Sequence, residues 1–131
     1  MFKSVFVAAC LASMPAYAGV EELMKADKDI IGNPITYPGG EAAQITGIMI
    51  TMAPGESNGW HSHPVPTFGY MLSGELTVEY ATGEVKVMRA GDTIVEAQHT
   101  AHQGHNRGDE VVKIVVFYAG ADGVPTTVRG K

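Results

Sequence analysis

The 131-residue sequence predicts one all-β domain, a sandwich or closed barrel of about eight short strands. Composition points first in that direction. With 45% apolar residues, 16 Gly and 7 Pro, the chain suits short strands joined by tight turns better than long helices. From Ile30 onward apolar side chains recur with period two, the spacing that sends alternate residues to one face of a strand. Turn residues interrupt this pattern every ~8–12 positions, which sets strand number and length. A chain of this size buries one core, so one site is expected.

Along the chain, residues 1–18 read as a targeting segment. Lys3 gives a positive start, Val5 to Met14 an apolar stretch, and Ala16-Tyr17-Ala18 a small-residue cleavage signal before Gly19. The expectation is a signal peptide and export, to a bacterial periplasm. Val7-Ala8-Ala9-Cys10 also resembles a lipoprotein box, but cleavage there leaves too short an apolar stretch. Loss of 1–18 removes Lys3 and Cys10, leaving 8 basic against 14 acidic residues, a net charge of −6, and no thiol. Any metal in the mature chain must then be held by nitrogen and oxygen, and disulfides and cysteine nucleophiles are excluded. No basic patch is present, which argues against nucleic acid as a partner. No span for a membrane is expected in the mature chain.

Residues 19–43 form an N-terminal arm. Within it Val20, Leu23 and Met24 stand among charges in a pattern that suits a short amphipathic helix or an ordered arm. The barrel is expected over 44–119. Thr46 to Met52 reads as a strand closed by Pro54-Gly55, and Thr67 to Leu72 as another closed by Ser73-Gly74. Glu75 to Tyr80 alternates polar and apolar strictly and turns through Ala81-Thr82-Gly83-Glu84 into Val85 to Met88, a hairpin with one wet face. Thr93 to Glu96 follows the turn at Ala90-Gly91-Asp92. Val111 to Tyr118 is nearly continuous in apolar residues, the mark of a strand covered on both faces. Residues 120–131 read as a loose tail.

The histidines carry the chemistry. All five fall in two clusters, His61/His63 and His99/His102/His105. His-x-His on a strand points both imidazoles to one face at a separation that suits two ligands of one ion. A third histidine from another strand completes a facial set. Each histidine alone reads better as a surface or hydrogen-bonded residue; their joint pattern favours metal. His105 stands at odd offset from His102 and should face the other way.

These two segments resemble the two motifs of the cupin superfamily, which implies a double-stranded β-helix, or jelly-roll, barrel. Gly55, His61, His63 and Gly74 match the first motif, G-x5-H-x-H-x(3,4)-E-x6-G; Gly91, His102 and Asn106 match the second, G-x5-P-x-G-x2-H-x3-N. The resemblance covers about residues 44–119 and implies His61, His63 and His102 as ligands to one divalent transition-metal ion: iron, manganese, zinc, nickel or copper. Two departures follow. Thr67 stands where the family has a ligating glutamate, and Ala97 and His99 replace the second motif's proline and glycine.

Three neutral ligands leave the ion its full charge and open positions for water, dioxygen or a chelating substrate. Glu96 is the carboxylate inside the second motif: it can replace the missing ligand, orient an imidazole, act as general base, or be a solvated strand end. His99 is a fourth ligand, a base, or a polar residue at the barrel mouth. Trp60, Phe68, Tyr70, Met49 and Met71 pack the core or wall the pocket, with Trp60 and Tyr70, which have polar handles, and Thr67 expected at the pocket. The expected function is an exported metalloenzyme acting on a small oxygen-rich substrate, dioxygenase- or isomerase-like, with Glu96 or His99 as acid or base. A non-catalytic periplasmic module for a metal ion or chelating small molecule is the alternative. Exposed aromatic faces suit a homodimer.

Overall fold

A computed structural model describes residues 18–27, 34, 37 and 39–131. The expected targeting segment, apart from Ala18, lies outside the described residues. No helix occurs among the described residues. Ten strands follow one another among the described residues: β1 (Gly19–Ala26), β2 (Ala43–Met52), β3 (His61–Ser62), β4 (Thr67–Ser73), β5 (Glu75–Tyr80), β6 (Val85–Arg89), β7 (Thr93–Val95), β8 (His102–His105), β9 (Val112–Ala121) and β10 (Val128–Arg129). They form two five-stranded sheets, ordered β1-β2-β9-β4-β7 and β10-β3-β8-β5-β6. Strand pairing within both is antiparallel. This is the all-β double-sheet barrel that the period-two pattern predicts.

The core lies between the sheets and is built from residues of one parity. On β9, Val112, Ile114, Val116 and Tyr118 are buried while Lys113 and Phe117 face outward. Met52 of β2, Met71 of β4, and Leu76 and Val78 of β5 pack against that row. Burying side chains of this size contributes roughly 1.5–3 kcal/mol each, which is what holds the sheets together. Gly74 lets β4 turn into β5: its φ is 73°, and a Cβ there would lie 2.9 Å from the Val111 carbonyl oxygen. Any other residue at this position is strained in φ and short of space.

Three expectations need correction. Of the two readings of the arm, the helix fails and the ordered arm holds: Gly19–Ala26 is a strand paired with β2 from Gly19↔Thr51 to Ala26↔Ile45, with an irregularity between Glu22 and Met24. Pairing satisfies the backbone along the edge of β2, and that tertiary gain overrides local helical periodicity. Nor is β9 covered on both faces. Phe117 is 41% exposed, and the apolar residues of its outer face pair across strands instead, Phe117 with Phe68 and Val115 with Tyr70. Finally, 120–131 is not a loose tail. Gly120 and Ala121 finish β9, and Val128 and Arg129 pair with Ser62 and His61 of β3.

Candidate metal centre

Pairing places His61 of β3 directly opposite His102 of β8. His63, two residues beyond His61, sits where the chain bridges Gln98. All three side chains point inward and are 7%, 4% and 3% exposed. Their ring centroids stand 4.5 Å apart for His61–His102 and 5.0 Å for each of the other two pairs. One nitrogen of each lies within 4.8 Å of the others.

Backbone carbonyls fix the state of the rings. Nδ1 of His61 meets the Gly59 oxygen at 2.7 Å, that of His63 the Thr126 oxygen at 2.9 Å, and that of His102 the Thr100 oxygen at 2.8 Å. A carbonyl oxygen only accepts, so each Nδ1 carries the proton and donates it. Nε2 is therefore the nitrogen of each ring left available to a metal ion. Burial pushes the His61 imidazole down to about 4, with the neighbouring His102 and His63 adding to the effect against its bond to Gly59. His63 is also pushed down, chiefly by burial and against its bond to Thr126. Neutral imidazoles aimed at one point are the form in which histidine binds metal.

Around the histidines lies a small cavity of ≈ 60 Å³. Thr67, Glu96, Asn58 and Tyr118 supply its polar wall; Ile50, Val78, Ile94, Ile114 and Val116 are among its apolar neighbours. Thr67 is 3% exposed, and its hydroxyl donates to the Val65 carbonyl at 3.0 Å. Tyr118 packs its ring 5.4 Å from that of His63, and burial raises its hydroxyl. Glu96 accepts from the Tyr80 hydroxyl at 2.8 Å through Oε1, and its Oε2 stands 3.6 Å from His102 Nε2. Burial, then the bond to Glu96, raises the Tyr80 hydroxyl. A wider groove of ≈ 260 Å³ adjoins this cavity at His61, Asn58 and Tyr118, with Arg129 on its wall.

Of the residues singled out in the sequence, His61, His63, His102, Thr67 and Glu96 come together. His99 does not. It is exposed, with φ at 60°, and its backbone N–H donates to the His63 carbonyl, so it shapes the mouth by its backbone. Tyr70 lies outside the pocket as well: its parity on β4 is opposite to that of Thr67 and Met71, and it is 48% exposed on the outer face. Trp60 precedes the first histidine and is turned from the cavity, with the Lys131 ammonium 4.3 Å over its ring. His105 faces out toward Glu79, 3.4 Å away. Tyr80, Tyr118, Asn58 and Arg129 escaped sequence reading. Tyr118 and Tyr80 had a signal, since they share the inward parity of β9 and of β5.

Two sheets closed around an inward-facing histidine triad define a small β-barrel protein with a histidine cluster able to hold a metal ion. A family model described as "Cupin domain" matches residues 48–118, more than half of the chain. The chain belongs to the cupin family. It is similar to Oryzines biosynthesis cluster protein J of Aspergillus oryzae, 29% identical over 128 residues that cover 96% of this chain and 68% of that one. Among solved structures, an uncharacterized conserved protein with a double-stranded β-helix domain from Klebsiella pneumoniae superposes with a TM-score of 0.67 at 16% identity, covering 98% and 99% of the two chains. Oxalate oxidase in complex with glycolate gives 0.61 at 27% identity, where 98% of this chain spans 62% of that one.

Proposed function

We propose that the chain is exported and holds one divalent transition-metal ion on His61, His63 and His102, where it acts on a small, oxygen-rich organic molecule. The observation that carries the reading is the three Nδ1–carbonyl bonds, which leave three Nε2 lone pairs converging in a buried cavity. Nitrogen donors of this kind fit zinc, iron, manganese, nickel or copper. A bound ion supplies a Lewis acid with positions open to oxygen donors.

The chain's own residues define what else enters. A cavity of ≈ 60 Å³ takes a few water-sized groups, so only the chelating end of a substrate fits beside the histidines. The adjoining groove leads from His61 past Tyr118 to Thr127 and Arg129, giving the rest of the molecule hydroxyls, one cation and, at Glu22, one carboxylate to meet. An oxygen-rich molecule suits those groups, and the likeness to oxalate oxidase with glycolate supports the same class of substrate. Export rests on Lys3, the apolar run and Ala16-Tyr17-Ala18. The small cavity also suits the second reading, a binding module that takes up a metal ion without turnover.

The test begins with metal content of purified protein, wild type and His102→Ala. The expected result is one ion per wild-type chain and more than about a 100-fold weaker hold in the variant, since ligand loss should exceed the 10–100-fold cost typical of losing an outer partner. Wild type without stoichiometric metal refutes the reading. Oxygen uptake and product analysis with small hydroxy acids, enediols and diketones then separate enzyme from binding module.

A further inference from the structure

We propose that Glu96 supplies the fourth protein ligand to the ion held by His61, His63 and His102, and that Tyr80 positions it. The inference rests on the metal reading above. Its starting point is the vacancy left by Thr67, whose hydroxyl is turned back onto the Val65 carbonyl. Directly beside it, the backbone N–H of Glu96 donates to the Thr67 carbonyl at 3.0 Å, continuing the ladder in which Phe68 pairs with Val95. A carboxylate thus enters the same cavity at the level of Thr67, from the neighbouring strand.

Its two oxygens have different surroundings. Oε1 accepts from Tyr80 Oη at 2.8 Å and from the Ala97 N–H at 2.7 Å. Oε2 faces inward, 3.6 Å from His102 Nε2. That distance is too long for a charge-assisted hydrogen bond, for which about 2.7–2.9 Å is usual. Two donors bound to one ion at about 2.1 Å stand about 3.0–3.4 Å apart for right-angle to tetrahedral arrangements. The separation from His102 needs only a small adjustment to reach that range, and the Glu96 side chain must swing further in to join the group that the three histidines form without it.

Charge gives a second, independent reason. The Glu96 side chain is 11% exposed, and among the described residues its only ion-pair partner is His102. A carboxylate this buried needs a compensating cation. Neither Lys nor Arg approaches it within 4.0 Å among the described residues, and an ion held by the three histidines would place a full positive charge beside it. The role of Tyr80 follows from its bond: by occupying Oε1 it leaves Oε2 as the oxygen free to ligate.

The experiment uses the purified chain, stripped with chelator and titrated with Mn²⁺ and Co²⁺ by calorimetry and visible absorption. E96Q is expected to weaken Mn²⁺ binding by more than about tenfold and to shift the Co²⁺ ligand-field bands. T67E in the E96Q background, which returns a carboxylate to the family's position, is expected to recover affinity. Y80F keeps the carboxylate and should shift the same bands, which a merely structural tyrosine would not do. Wild-type affinity and an unchanged Co²⁺ spectrum in E96Q, with His102→Ala still losing the ion, overturn the proposal and leave the metal reading intact. If E96Q does not fold, an unchanged spectrum in Y80F overturns the positioning of Glu96 by Tyr80. No stoichiometric metal in wild type removes both readings together.

Discussion

The two ends of the barrel interior are built on the same strand and differ in chemistry. At one end of β9, Val112 pairs with Met52 of β2, and Met71 sits across from Ile114; these residues are 0–5% exposed. Asn106 seals this end, donating to the Met52 and Glu110 carbonyls. Four to six residues along, the same inward row reaches Val116 and Tyr118, where Tyr118 pairs with Thr46 and Thr67 and meets the histidines. Alternation is unbroken between the ends. A cavity lined by buried polar groups contributes little to stability on its own, and the packed methionine end compensates for it.

Changing the packed end should have the largest effect. Met71→Ala is expected to cost about 2–5 kcal/mol in urea unfolding, because a fully buried side chain leaves a cavity behind. Metal affinity of the folded protein should stay unchanged. A parallel loss of affinity would show that the two ends are not independent.

Acid should act at the other end. In metal-free protein the His61 imidazole is lowered to about 4, against an ordinary 6.5 in the unfolded chain, and His63 is lowered too. The unfolded state therefore binds more protons between those values. Stability is full above pH 6.5 and falls as pH drops toward about 4, by about 3 kcal/mol at most for His61. Thermal midpoints of chelator-treated protein across this range check the slope, and H61N should flatten it. A flat wild-type profile would mean that His61 and His63 are not buried as neutral rings.

The smallest effect is expected outside the barrel. Tyr70→Ser removes a half-exposed ring that pairs with Val115 and Thr93, and should change stability by less than about 1 kcal/mol. Metal uptake should not change. A loss of metal would return Tyr70 to the pocket, where its polar handle first suggested it.

Much of this contrast was legible from spacing. Strict alternation marked Glu75–Tyr80 with the bounds that β5 has, and His-x-His placed two imidazoles on one face. Misreadings came where local pattern and tertiary partner disagree. Residues 19–26 carry a helical spacing, but the open edge of β2 recruits them. The segment after Gly120 has no periodic pattern, yet Thr126 holds the His63 ring and β10 pairs with β3.

By itself the sequence determined the donor types, since no thiol stands after residue 18 and the histidines cluster, and the parity that sends His61 and His63 to one side. Parity is local, set by the pleat of a strand. Tertiary structure alone decided convergence and protonation. His102 reaches His61 only through the β3–β8 pairing, and the proton on each Nδ1 is placed by a backbone carbonyl, which no side-chain pattern encodes. The carboxylate followed the same rule: Thr67 told where one was missing, and the β4–β7 ladder showed where Glu96 stands.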